Sequence, residues 1–264
     1  MCFESFKKSW KDLSINLFVP IVIQNIIIIL LLLIFFYING LFSIIMQGQN
    51  LTSAQLLDIF YANPAKLLAS FAAFIIFALI TNSGFIAMRL GLTKAIIQKR
   101  PMSISNAFSY GQTKLKDVLL IKILQFFLIA LVALVIIVIS LVLSLVNEQI
   151  MVIILILLTL IAIILLGLGL LFSYAILFIM ETTPFNAVKK SFVYFFSHKK
   201  TAITAVLLII LVVIPSIILN FADLSNIKAL SAMALIARII YGLILTAWKD
   251  LFIFNIYNSN KNFH

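Results

Sequence analysis

Six long apolar runs, none alternating like a strand, are separated by shorter stretches that mix aromatic, basic and turn-forming residues. Backbone amides in hydrocarbon must be paired within their own segment unless a barrel closes. Apolar runs of about twenty residues therefore predict helices crossing a layer roughly 30 Å thick. The expected spans are 17–38, 67–90, 118–146, 150–180, 202–221 and 229–257, all within one integral membrane domain covering 1–264. The third and fourth exceed the bilayer thickness and are expected to tilt or project. The first is longer than a signal-peptide core and lacks a small-x-small cleavage pattern, so it reads as a retained span.

A second pattern overlies the first. Phe3, Phe6, Trp10, Leu13 and Leu17 recur at helical spacing, with Lys7, Lys8, Lys11 and Asp12 directed elsewhere. "VKKSFVYFFSHKK" repeats the arrangement: Phe185, Val188, Phe192, Phe195 and Phe196 form a stripe, with Asn186, Lys190 and Ser197 opposite. A third copy, Ile104, Ala107, Phe108, Gly111 and Leu115, is followed by Lys114 and Lys116 and is weakened by its glycine. Each copy precedes an odd-numbered span. All three are expected to be amphipathic helices lying in the membrane interface, aromatics toward the acyl chains and lysines near anionic headgroups. Two roles are compatible with this: anchoring the span that follows, or recognising lipid through Lys7, Lys8, Lys11, Lys189, Lys190, Lys199 and Lys200.

Composition narrows the class. With 64% apolar and 10% charged residues over 264 positions, and a mean hydropathy of +1.25, the chain is no water-soluble globule. Fold class is expected to be all-α: a polytopic membrane protein with six transmembrane helices and three amphipathic interfacial helices on the cytoplasmic side. The basic residues set direction. Lys7, Lys8, Lys11, Arg89, Lys94, Lys99, Arg100, Lys114, Lys116, Lys122, Lys189, Lys190, Lys199, Lys200, Lys249 and Lys261 fall on one side, and only Lys66 and Lys228 on the other. Short loops rich in lysine stay inside, so both termini are expected in the cytoplasm, with the protein multi-pass in the cell membrane. The net charge of +11 then lines one membrane face, which argues for anionic lipids as partners and against nucleic acid.

The run "FIMETTPFNAVKKSFVYFFSHKK" joins an acid at a helix end, a turn at Pro184, an Ala-x-x-x-Ser step and a basic tail. It resembles a pattern in six-span prokaryotic membrane proteins, a group that includes the membrane domain attached to some glycerophosphodiester phosphodiesterases and related uncharacterised families. The matching positions are Glu181, Ala187, Ser191 and the lysines that follow. The resemblance implies architecture and membrane placement; the catalytic domain of such fusions is not expected within these 264 residues.

Polar residues inside the spans are the remaining signal. Gln24, Asn25, Asn82, Ser83, Gln125, Ser173 and Tyr174 share a level near the basic side. They either converge on a polar cavity or form separate interhelical hydrogen bonds. Arg238 lies on a small and polar stripe with Ala234, Tyr241, Gly242 and Thr246. It either faces inward, toward the Leu211 carbonyl that Pro215 leaves unpaired, or snorkels to the outer headgroups. Ser83, Ala87 and Gly91 form a small-residue ridge suited to close helix packing.

Catalytic chemistry is thin. Two histidines, one of them terminal, build neither a zinc site nor a triad, and no phosphate loop is present. The carboxylates lie near interfaces, and Glu181 is expected at the surface or paired with Lys189 and Lys190. No cofactor or metal is expected. Asn50-Leu51-Thr52 fits a glycosylation sequon, and Cys2 is placed for acylation. The leading expectation is transport or lipid handling through an inner polar cavity under a basic collar. The alternative is a non-catalytic accessory or scaffold subunit of a membrane complex, docked along the third and fourth spans. An intramembrane enzyme ranks last.

Overall fold

The structure, a computed structural model, describes residues 2–42, 61, 63–144, 148–223 and 228–260. The Asn50 sequon, residues 145–146 of the third expected span and Lys261 lie outside the described residues.

Nine α-helices are described, and no strand occurs among the described residues. A short helix α1 (Cys2–Lys11) leads through a 3-10 turn at Ile15–Leu17 into α2 (Phe18–Ile38). The Ser14 hydroxyl caps that turn by accepting from the Asn16 amide. Helix α3 (Pro64–Ile97) starts with Pro64 in its first turn, where a missing N–H costs nothing, and Asn63 caps it by accepting from the Lys66 amide. It continues past the expected end at residue 90 and stops before Lys99, which adopts a left-handed φ of 54°. Helices α4 (Ile104–Ser144) and α5 (Glu148–Leu170) follow. A short α6 (Ser173–Met180) ends where Glu181 turns left-handed at φ 49°. The last three are α7 (Pro184–Ser197), α8 (Lys199–Asp223, with Pro215 inside) and α9 (Lys228–Asn260).

Six stretches are long and apolar enough to cross a membrane: Ile15–Ile38, Pro64–Ile97, Ile104–Val142, Met151–Met180, Lys199–Ile218 and Met233–Asn260. The chain is an all-α polytopic membrane protein. Two details depart from the sequence reading. The third amphipathic segment is no separate helix, because Ile104–Ser144 runs unbroken for 41 residues, about 60 Å at helical rise. The fourth span is interrupted at Leu171–Phe172, where the Phe172 amide donates to Ser191 Oγ of α7 at 3.2 Å. That hydroxyl satisfies a donor which a helix start leaves unpaired.

The core lies at one end of the bundle. Its buried members are Leu17 of the 3-10 turn and Ile21 of α2, the end of α3 (Ala87 to Ile97), the start of α4 (Ala107, Val118, Ile121) and α6. Ala187, Val188, Tyr194 and Phe195 of α7 join the same core, as do the start of α8 (Ala202, Ala205) and the end of α9 (Ala247 to Tyr257). Because the chain runs up and down, these are the six ends that carry the lysines. The opposite halves of α4, α5 and α8 expose Leu131, Ile137, Ile156, Ile163 and Leu211, a surface suited to hydrocarbon.

Glycines set the closest approach. A Cβ on Gly111 of α4 would lie 3.1 Å from the Met88 amide nitrogen and 3.2 Å from the Gly84 carbonyl of α3. One on Gly91 would lie 2.6 Å from the Tyr110 ring. Gly111, which weakens the helix intrinsically, is the site of α3–α4 contact, and the Ser83, Ala87, Gly91 ridge is buried as its small-residue pattern implies.

Candidate functional site

Among the intramembrane polar residues, for which convergence and separate pairing were both open, two interhelical pairs form. Gln24 of α2 donates to Asn82 of α3 at 3.1 Å, and Tyr174 of α6 donates to Gln125 of α4 at 3.5 Å. Ser83 and Ser173 return their hydroxyls to Leu79 and Leu170 of their own chain segments. Asn25 is exposed. Of this set only Tyr174 borders the cavity at the basic end, so that cavity is built chiefly from other residues.

That cavity, about 290 Å³, is enclosed by α3, the α5–α6 break and α9. Ile86, Leu90, Leu170, Leu171, Ile253 and Phe254 make most of its wall; Arg89, Tyr174, Lys249 and Asp250 supply the polar groups. Arg89 Nε donates to Asp250 Oδ2, with both side chains only 10% exposed. Lys122, on α4 one turn before Gln125, lies within electrostatic reach of Arg89. Its Nζ is buried without a hydrogen-bond partner among the described residues. The sequence reading counted Arg89 and Lys122 only as charges of the basic side and placed carboxylates near interfaces. It missed that Arg89 and Asp250 are brought together in the core. Spacing offers no signal for them, since each stands on a different helix.

Helix α1 packs against α9 at the same end of the bundle. Phe6 meets Trp248 edge-on at 5.3 Å and Phe252 at 5.9 Å, while Trp10 stacks on Trp248 at 5.4 Å. Asn255 Nδ2 donates to Ser9 Oγ at 3.1 Å, and Ser9 in turn donates to the Ser5 carbonyl at 2.6 Å. The buried face is thus Ser5 and Ser9 with Phe6, while Phe3 is exposed, which splits the expected aromatic stripe. Helix α7 behaves likewise. Ala187, Val188, Ser191, Tyr194 and Phe195 are buried, Phe185 and Phe196 are exposed, and Phe192 covers Gly169 of α5. The small residues win the inward positions because they let the short helices approach the bundle closely.

The collar lysines, Lys7, Lys8, Lys11, Lys189, Lys190, Lys199 and Lys200, are all exposed, with Lys199 over the Phe196 ring at 5.9 Å. Glu181 pairs with neither Lys189 nor Lys190. Lys94 of α3 takes it at 2.5 Å, and that hydrogen bond and charge hold its carboxyl below the usual range. Tyr194 accepts from Asn260 at 2.6 Å, and burial pushes its hydroxyl up to about 12. Cys2 is half-buried and its thiol donates to the Thr201 carbonyl at 3.6 Å. Burial raises the thiol and so disfavours the thiolate.

Far from this end, Arg238 is partly buried. One bond reaching the α8 backbone near Pro215 comes from Tyr241, whose hydroxyl donates to the Val212 carbonyl. No protein-family pattern, no curated protein and no solved structure matches the chain.

Proposed function

We propose that this multi-pass membrane protein resides in the cytoplasmic membrane with both termini inside and binds an amphiphilic lipid in the cavity at its basic end, as a carrier or lipid-handling protein rather than an enzyme. The observation that carries the reading is the cavity itself. About 290 Å³ of largely apolar wall contains one buried ion pair, Arg89–Asp250, and opens among helices whose exposed lysines are spaced to meet anionic headgroups. An apolar wall with a few fixed polar groups is what a molecule with a tail and a head requires. The likeness of 178–200 to membrane domains of diesterase fusions points to the same placement.

Lipids co-purifying in a neutral detergent, identified by mass spectrometry, test this. The wild-type protein should retain a defined lipid. Gly167→Trp, whose new side chain enters open space at the cavity wall, should release it. Neutralising Lys189, Lys190, Lys199 and Lys200 to Gln should shift the profile away from anionic classes. An unchanged profile in both variants refutes the reading.

The scaffold alternative draws on α4. The most apolar stretch of Ile104–Val142 buries none of its residues within the chain. A stoichiometric partner recovered with this helix from native membranes, and lost when Phe126 and Phe127 are replaced by Ala, would favour it.

A further inference from the structure

A second pocket at the basic end, about 290 Å³, shares no lining residue with the cavity described above. It sits between the α3–α4 connection and the turn that ends α6, and its polar wall is Lys94, Gln98, Arg100, Tyr110 and Glu181. Its charged groups are thus two cations against one carboxylate. Glu181 already holds Lys94 at 2.5 Å, while Arg100 makes no ion pair among the described residues. Lys114, one turn beyond Tyr110, is taken by Asp117 at 3.0 Å and lies outside the wall. The Tyr110 ring lies against Gly91 and meets Phe178 at 5.9 Å, and its hydroxyl oxygen is buried with no hydrogen-bond partner among the described residues. The backbone marks the same place. Lys99 and Glu181, at φ 54° and 49°, are the two non-glycine residues with positive φ among the described residues, and both end helices that border this pocket. Glycine takes such positions at least cost, so a lysine between Gln98 and Arg100, and a glutamate in the wall, point to side chains that matter there.

We infer that this pocket binds a phosphoryl group, with Arg100 and Lys94 meeting its charge and the Tyr110 hydroxyl donating to one of its oxygens. The inference goes beyond the lipid cavity and does not depend on it. A buried hydroxyl that donates to nothing has lost its bonds to water, and an anion that only accepts restores one. Arginine meets phosphate oxygens two at a time through its planar fork, and lysine adds a compact charge. The donors come from three separate elements: Lys94 from α3, Arg100 from the connection and Tyr110 from α4. Three oxygens arranged about a phosphorus suit that spread better than the two coplanar oxygens of a carboxylate. Glu181 then acts as a competitor. It keeps Lys94 at the wall in the empty pocket and yields it to the incoming anion. Soluble phosphate esters and membrane phospholipid headgroups share this chemistry.

The test titrates the full-length protein in neutral detergent with inorganic phosphate and, separately, with dihexanoyl phosphatidic acid, read by isothermal calorimetry. At least one should bind. Binding of phosphatidic acid alone identifies a lipid headgroup as the source, and binding of phosphate at least as tight identifies a free phosphoryl ligand. Arg100→Gln and Tyr110→Phe should each weaken binding roughly tenfold, and Glu181→Gln, which removes the competing carboxylate, should tighten it. Arg100 is exposed and phenylalanine keeps the Tyr110 ring, so both folds should persist, and melting temperatures without probe check this. The paired change Lys199→Gln and Lys200→Gln, in the exposed collar, and Gly167→Trp, in the lipid cavity, should leave binding as it was. Binding of neither probe, or binding that Arg100→Gln or Tyr110→Phe leaves unchanged, overturns the inference. So does weaker binding in Glu181→Gln. An equal loss on changing the collar lysines would mark diffuse attraction to a basic surface, and loss in Gly167→Trp would place the probe in the other cavity; either result also overturns it.

Discussion

Arg89 of α3 and Asp250 of α9 stand 161 positions apart in the chain and form a buried ion pair at the wall of the basic-end cavity. The pair ties the second span to the last, and two short helices, α1 and α7, pack over the same end. Placing a charged pair in the best-packed part of the molecule is costly unless each partner keeps the other.

Breaking one side should therefore be far worse than removing both. Asp250→Leu or Arg89→Met alone leaves an unpaired buried charge and should cost roughly 3 to 5 kcal/mol, while the double variant should recover most of the loss. Thermal unfolding of the purified variants in one detergent measures this. Equal losses in the single and double variants would contradict the pairing.

At the α3–α4 crossing, the two glycines should respond differently. Gly111→Leu forces backbone apart, because Met88 N and Gly84 O lie within 3.2 Å of the new Cβ, and should lose about 1 to 3 kcal/mol with no side-chain rescue. Gly91→Ala collides only with the Tyr110 ring, so Tyr110→Ala in the same protein should restore stability. Rescue at both positions, or at neither, would mean the helices are not in this register.

The chain's two tryptophans, Trp10 and Trp248, stack across the α1–α9 contact, so intrinsic fluorescence reports the docking of α1. Ser9→Ala leaves the buried Asn255 amide without its partner, a loss of about 1 to 3 kcal/mol. Emission should shift to the red, and protease should cut sooner within residues 2–11. Unchanged emission in Ser9→Leu, which overfills the contact, would refute the docked position.

Glu181 gives a pH signature. Lys94 depresses its carboxyl in the folded protein, so the stabilisation is full above the ordinary carboxylate range and is lost as pH falls through the depressed value. Since Glu181 is largely exposed, solvent screening keeps the effect small, within about 1 kcal/mol. Melting temperatures of wild type and Glu181→Gln should differ slightly at neutral pH and converge in acid. Divergence on acidification would reverse the assignment.

Several features were legible before any coordinates. The Ser83–Ala87–Gly91 ridge and the apolar runs follow from local spacing, because a helix presents every third or fourth residue on one face. The stripes of α1 and α7 were legible only as amphipathic. Which edge of each stripe turns inward depends on how closely a neighbour approaches, and Ser5, Ser9 and Ser191 took positions that hydrophobicity alone awards to Phe3, Trp10 and Phe185. Gly111 read as a weakness in a helix and proved to be its point of contact.

By itself, the sequence determined that this chain is helical, spans a membrane six times and carries its positive charge at one set of span ends, because those properties depend on composition and near-neighbour spacing. Only the tertiary structure decided that Arg89 and Asp250 form a buried pair and that Glu181 belongs to Lys94. It also decided that the core lies at the lysine-bearing end. Those are pairings between residues distant in the chain, set by which helix faces meet, and no local pattern encodes them.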